Sequence, residues 1–105
     1  MAAIPEQIKG KFTLTATVTA VDGKADELQK LLAAARESAN SSKEPGTLTY
    51  RTSRGVGADS NKFTLFEEYA DKEANSVHVQ TEACQALAKS GVIASAIITY
   101  AEEFQ

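Results

Sequence analysis

The stretch FTLTATVTA, from Phe12 to Ala20, alternates apolar residues with threonine without a break. A repeat of two residues is the period of a β-strand, and the branched Cβ of threonine suits extended backbone. The apolar side chains all point to one face and the threonines to the other, so the strand can bury only one face against a core. The threonine face fits a semi-polar cavity, a subunit contact or a solvated sheet surface.

The remaining elements are predicted from the same kind of pattern. Apolar residues recur every three or four positions where a helix is predicted, and every second position where a strand is predicted. In order after the first strand, the predicted elements are a helix over 24–40, a strand over 47–53, a strand over 62–69, a helix from an N-cap at Asp71 to Lys89 with a break near 79–81, and a last strand within 92–104.

This order, β-α-β-β-α-β, is typical of an α+β protein with the ferredoxin-like split βαβ fold. We expect a four-stranded antiparallel sheet with both helices on one face. A chain of 105 residues is expected to form one domain over 1–105, with an N-terminal arm over 1–11 and a core over about 12–104. The sheet face without helices would expose apolar surface, so a homodimer that packs two sheets together is predicted.

Composition argues against several classes of protein. The net charge is −3 and no stripe of Lys or Arg forms, which argues against nucleic acid and anionic membranes as partners. Cys84 is the single cysteine, so no internal disulfide and no zinc-ligand spacing is present. Pro5 and Glu6 interrupt the position of a signal-peptide core, and no segment approaches the ~20 apolar residues of a membrane span. We therefore expect a cytoplasmic protein.

Three short motifs carry a family resemblance. They are Phe66-Glu67-Glu68-Tyr69 at the end of the third strand, His78 followed by Gln80-Thr81, and the Glu44-Pro45-Gly46-Thr47 turn before the second strand. Over roughly residues 12–104 the chain resembles the antibiotic biosynthesis monooxygenase domain, a family of dimeric α+β barrels.

The departures from the family pattern narrow what the resemblance implies. Tyr69 stands where the family most often has Trp, and Ala83 stands where a second histidine often falls. The chain has no Trp and no Asn in its first strand, which the heme-degrading branch uses. The resemblance therefore implies the branch that oxygenates anthrone-, quinol- or polyketide-type aromatics without a cofactor or metal.

Three residues are candidates for catalysis: His78, Tyr69 and Glu67. An imidazole titrates near neutrality, so His78 suits a general base, although a histidine that packs and donates to a carbonyl or carboxylate is the alternative. Glu67 shares its predicted strand face with Tyr69, and burial there would require pairing or a raised pKa. An ion pair with Arg51 on the neighbouring strand is the simpler interpretation of Glu67.

Candidates for substrate binding are Tyr50, Phe66, Tyr100 and Arg51. A phenol can hydrogen-bond a ligand carbonyl and stack on a ring, whereas a buried tyrosine can also simply fill space. Cys84 is expected to be a small buried apolar residue.

Three functions remain open from the sequence. The first is a monooxygenase without metal or flavin that acts on a planar aromatic. The second is a non-catalytic, stress-associated or ligand-binding barrel that holds a small hydrophobic molecule. The third is an isomerase, because dimeric α+β barrels host several chemistries.

Overall fold

The computed structural model describes residues 3–105, so the first two residues of the predicted N-terminal arm lie outside the described residues. The elements are β1 (Phe12–Ala20), α1 (Ala25–Ala39), β2 (Thr47–Arg54), a 3-10 turn (Gly57–Asp59), β3 (Lys62–Tyr69), α2 (Lys72–Val79), α3 (Glu82–Lys89) and β4 (Ile93–Ala101). This order confirms the predicted α+β, ferredoxin-like fold.

The four strands form one antiparallel sheet in the order β2-β3-β1-β4. β1 is central: Leu14 stands opposite Glu67 of β3 on one side and opposite Tyr100 of β4 on the other. Because side chains alternate between faces, the helix-covered face takes the apolar set of β1 and the opposite face takes its threonines. β2 and β4 are the two edge strands.

The core lies between this sheet and α1. The apolar side chains of β1 are all buried, from Phe12 to Ala20. On α1 the buried positions are Ala25, Leu28, Leu32, Ala35 and Ala39, which have the spacing of three and four read from the sequence. The predicted helix over 24–40 is therefore confirmed to within a residue at each end.

The second helical region consists of two helices, and the predicted break near 79–81 separates them. Asp71 is the N-cap of α2, where its carboxylate accepts a hydrogen bond from the Ala74 amide at 2.8 Å. Thr81 caps α3 by accepting from the Cys84 amide, and its hydroxyl donates to the His78 carbonyl at 2.7 Å. A single threonine thus ends one helix and begins the next.

Two local features of the structure could not be read from sequence periodicity. Ile8, in the predicted N-terminal arm, is buried in the core. In β2 the register shifts between Thr47 and Thr49, and Leu48 is left 49% exposed. The last strand, Ile93–Ala101, lies within the predicted range 92–104.

The sheet face opposite the helices carries the β1 threonines and the side chains that alternate with the core positions of the other strands. Ile97 of β4 is 71% exposed there, opposite Thr17, and Phe66 of β3 is 39% exposed, opposite Thr15. We call this surface the open sheet face. No helix within residues 3–105 has the length and apolar character needed to cross a membrane.

Candidate functional site

A buried glutamate in the loop between α1 and β2 anchors the candidate site. Glu44 is 2% exposed, although it comes after a polar stretch of sequence. Its Oε2 accepts a hydrogen bond from the Ser38 hydroxyl at 2.6 Å, and its Oε1 accepts one from the Thr47 hydroxyl at 3.1 Å. A buried carboxylate needs such donors, because it has given up its contacts with water.

The third donor to this carboxylate is the chain's single histidine. His78 lies in the last turn of α2 and is 3% exposed, and its Nδ1 lies 2.6 Å from Glu44 Oε1. An ionised carboxylate can only accept, so in this pair Nδ1 carries the proton and donates it. The other ring nitrogen, Nε2, is then the one available to accept a proton.

A close backbone approach holds the Glu44 loop against α2. A Cβ built on Gly46 would lie 2.5 Å from the Cβ of Ala74, a distance that real Cβ atoms essentially never show. The Gly46 carbonyl also accepts a hydrogen bond from the Ala70 amide at 2.9 Å, just before α2 begins. The Glu-x-Gly turn therefore does two things: it supplies the carboxylate, and it lets α2 come close enough to use it.

Two tyrosine rings enclose the imidazole from the sheet side. The ring centroids of Tyr50 on β2 and Tyr69 on β3 lie 5.0 and 5.9 Å from that of His78, both tilted by 47°. Both tyrosines are buried, and burial raises the pKa of each phenol well above its usual value, with the charge of Glu67 adding to the effect. Both phenols are therefore neutral donors at physiological pH.

Glu67 completes the group from β3, with its carboxyl next to the same rings. The Tyr69 hydroxyl donates a hydrogen bond to Glu67 Oε1. Burial raises the pKa of the Glu67 carboxyl, while the Tyr69 hydrogen bond and the nearby His78 act to lower it. We name Glu44, Tyr50, Glu67, Tyr69 and His78 the interior polar cluster.

The expected ion pair between Glu67 and Arg51 is wrong. Glu67 faces the helices, whereas Arg51 stands opposite Phe66 on the open sheet face. The sheet therefore separates the two side chains.

The predicted substrate-binding residues divide between the two faces of the sheet. Tyr50 belongs to the interior polar cluster. Phe66 and Arg51 lie on the open sheet face, where they line a shallow groove of about 200 Å³. Tyr100 is on the helix side but on β4, with its ring 6.4 Å from that of Phe12, and burial raises the pKa of its phenol. The four residues do not converge on one place.

Cys84 is partly buried, which corrects the expectation of a small buried apolar residue. Burial nevertheless raises the pKa of its thiol to about 11, with Glu67 and Glu44 contributing, so the thiol is protonated at neutral pH. Within residues 3–105, no group of three or more His, Cys, Asp or Glu side chains is arranged to hold a metal ion.

An open groove lies beside the cluster, between the end of α1 and the start of α3. Its volume is about 620 Å³, and Ser38 and Thr81 are among the residues that line it. Ser38 donates to Glu44 and Thr81 donates to the carbonyl of His78. Two residues that line the groove therefore hydrogen-bond directly to Glu44 and His78, but His78 itself does not line it.

Sequence reasoning singled out His78, Tyr69, Glu67 and Tyr50, and the structure brings these four together. It missed Glu44 as a member of the site, although the Glu-x-Gly turn had been noticed. A signal was present in the sequence. Glu44 and His78 both lie in the motifs that carry the family resemblance, and a carboxylate and an imidazole readily form a hydrogen bond. Their separation of 34 residues in the chain hid this contact.

Comparison with known proteins agrees with this architecture. Residues 12–90 match the antibiotic biosynthesis monooxygenase family. No curated protein matches the chain.

Several solved structures share the fold. PA3566 from Pseudomonas aeruginosa is 25% identical with a TM-score of 0.83, over 93% of this chain and 98% of that one. A Caulobacter crescentus protein, provisionally described as an antibiotic biosynthesis monooxygenase, is 22% identical with a TM-score of 0.78, over 93% of each chain. Rv0793 from Mycobacterium tuberculosis is 18% identical with a TM-score of 0.77, over 90% of this chain and 96% of that one. On the match over residues 12–90, the chain belongs to the antibiotic biosynthesis monooxygenase family.

Proposed function

We propose that this protein is a monooxygenase that uses neither metal nor flavin and acts on a planar aromatic of the anthrone or quinol type. The observation that carries the proposal is the Glu44–His78 pair, a buried imidazole held through Nδ1 by a carboxylate with two further donors. A base fixed in one tautomer and one orientation is what proton abstraction requires.

The chemistry that the cluster supports is proton handling. Nε2 of His78 takes a proton from a phenol or from a C–H next to a carbonyl, and the neutral phenol of Tyr50 stabilises the resulting anion by donating a hydrogen bond. The Tyr69 hydroxyl already donates to Glu67, so Tyr69 positions that carboxyl beside the imidazole. The substrate carbanion then supplies the electrons to O₂ and forms a carbon–oxygen bond. Loss of water from the hydroperoxide leaves a carbonyl, so one CH₂ and one O₂ give one C=O and one H₂O.

A second candidate is a non-catalytic barrel that binds a small hydrophobic molecule. It is favoured by the close packing around His78, where Tyr50 and Tyr69 occupy the space a substrate ring would need. For oxygenation, these rings must move and admit the substrate, and the groove lined by Ser38 and Thr81 is the entry route we propose.

An oxygen electrode separates the two candidates. The protein is supplied with an anthrone or a quinol in air-saturated buffer, and O₂ uptake is compared with carbonyl product. His78→Gln should lower turnover by ~10²-fold and keep its melting temperature, whereas the matched control Val77→Gln, on the exposed side of the same helix, should keep full turnover. Saturable ligand binding without O₂ uptake would refute the oxygenase and favour the second candidate.

We also propose that the protein is a homodimer that buries the open sheet face. Support comes from the exposed Ile97 and Phe66 on an otherwise threonine-rich surface that no helix covers. A stable interface of this kind buries more than ~1,200 Å² in total. In sedimentation, Ile97→Glu should give a monomer, and Val56→Glu, at a loop position 84% exposed, should leave a dimer. A wild-type monomer at micromolar concentration would contradict the proposal.

A further inference from the structure

A small groove between α1 and the edge strand β2 gathers two of the chain's three arginines. The groove has a volume of about 220 Å³, and Arg36 of α1 and Arg54 of β2 both line it. The chain as a whole carries a net charge of −3, so two guanidinium groups beside one cavity form a local concentration of positive charge in an acidic protein. Arg51 points to the open sheet face and takes no part.

Arg54 is held in place before any ligand arrives. Its Nε donates to the Ser60 carbonyl at 2.7 Å, and its Nη1 donates to Asp26 Oδ1 at 2.9 Å and Gln29 Oε1 at 2.8 Å. The guanidinium also lies over the Phe63 ring, 5.4 Å from its centroid. These bonds use Nε and Nη1, which leaves the Nη2 group for a ligand. A fixed guanidinium loses little entropy when it binds an anion.

Arg36 supplies the second positive charge. None of the ion pairs within residues 3–105 includes it, so its charge is not neutralised by a neighbouring carboxylate. The acid that pairs with Arg54 is Asp26, which does not line the groove, and its side chain is 90% exposed, where water weakens the pairing. The local field of the groove therefore favours an anion.

The rest of the lining limits what the anion can be. Ala33 gives the groove an exposed apolar side, whereas Leu32 and Phe63 lie at its base and are each only 2% exposed. Thr52 and Ser53 add hydroxyls along β2. The guanidinium fork of Arg36 matches a carboxylate bidentately, and the remaining Nη2 group of Arg54 adds one more donor. The apolar side suits a flat carbon body. The volume is below the usual range for drug-sized ligands, so it accommodates one ring and not several.

We propose that this groove binds a small aromatic carboxylate with a single ring, its carboxylate between Arg36 and Arg54 and its ring against Ala33 and Thr52. None of the five residues of the interior polar cluster lines this groove, so the site does not depend on the proposed oxygenase activity.

Titration of ¹⁵N-labelled protein with benzoate tests the proposal, with benzyl alcohol, acetate and chloride as probes that lack the charge or the ring. Benzoate should give saturable amide shifts centred on Ala33, Thr52 and Ser53, and the other probes should not. Arg36→Gln should weaken benzoate binding by about tenfold or more, because a charge-assisted contact is lost. The matched variant Lys89→Gln, which removes the same charge from the far end of α3, should bind as the wild type does.

Three results would overturn the proposal. The first is benzoate shifts that are centred away from the groove or that do not saturate. The second is equal affinity in the wild type and Arg36→Gln, with the variant shown to be folded by its spectrum. The third is acetate or chloride giving the same shifts as benzoate, which would show a non-specific response to anions.

Discussion

Replacing Gly46 with alanine tests whether the Glu44 loop and α2 are held together by direct backbone contact. The added Cβ would lie 2.5 Å from the Cβ of Ala74. Carbon atoms in favourable contact are ~3.5–4.0 Å apart, so the loop and the helix must separate by about 1 Å. Both atoms belong to backbone-fixed positions, so no side-chain rotation can relieve the clash.

Overpacking of this kind costs about 1–3 kcal/mol of unfolding free energy. For a domain of this size each kcal/mol lowers the melting temperature by ~4–8 °C, so Gly46→Ala should melt roughly 5–20 °C lower. Gly10→Ala is the matched control, because a Cβ there meets nothing within 4 Å and the backbone has no positive φ. That control should change the unfolding free energy by less than ~0.5 kcal/mol.

The decisive assay is a double-mutant cycle measured by urea unfolding at one fixed protein concentration. Ala74→Gly alone should cost about 1 kcal/mol, as glycine does within a helix. The double variant Gly46→Ala/Ala74→Gly should cost no more than Ala74→Gly does, because the clashing Cβ has been removed. If the two single effects simply add, the cost of Gly46→Ala has another origin and the contact explanation is refuted.

Three further predictions concern stability. Burial raises the pKa of Glu67, so the folded protein binds this proton more tightly than the unfolded chain does. The unfolding free energy of the wild type should therefore fall relative to that of Glu67→Gln as the pH rises above about 4, the pKa in the unfolded chain. Urea unfolding of both proteins at pH 4 and pH 8 checks this, and a wild type that loses no stability relative to the variant between these pH values would refute it. Asp71→Ala should cost ~0.5–2 kcal/mol by calorimetry through loss of the N-cap of α2, and no loss would mean that this cap is not stabilising. Leu28→Ala, at a fully buried position, should lower the unfolding free energy by ~2–5 kcal/mol. Leu48→Ala, at a half-exposed position, should lower it by much less. Equal losses in urea unfolding would contradict the assignment of Leu28 to the core.

Local periodicity was enough to predict most of the fold. β1 and α1 were predicted to within a residue because each has a long repeat that only one secondary structure can satisfy. The break between α2 and α3 was also visible in sequence, because Thr81 interrupts the helical pattern and can cap a new helix. Leu48 and Ile8 were missed for different reasons. A register shift overrides alternation in β2, and a short irregular segment gives no period from which the burial of Ile8 could be read.

The site was predicted in part. His78, Tyr50, Tyr69 and Glu67 were chosen by residue type, and strand alternation correctly placed Tyr69 and Glu67 on one face. The burial of Glu44 could not be read from its polar loop, because it depends on three donors that lie up to 34 residues away. Phe66 and Arg51 were chosen as candidates for substrate binding by residue type, and they lie on the open sheet face, away from the interior polar cluster.

The strand order also determines when the sheet can form during synthesis. β1 lies in the middle, yet its two hydrogen-bonding partners are the third and fourth strands of the chain, with Thr13 opposite Ala101. A growing chain can pair β2 with β3 early, since they are neighbours in sequence, but β1 remains without its second partner until β4 has been made. Such long-range pairing is slow and leaves strand edges open to other chains. The nascent protein should therefore depend on chaperones most strongly just before its C-terminal strand emerges from the ribosome.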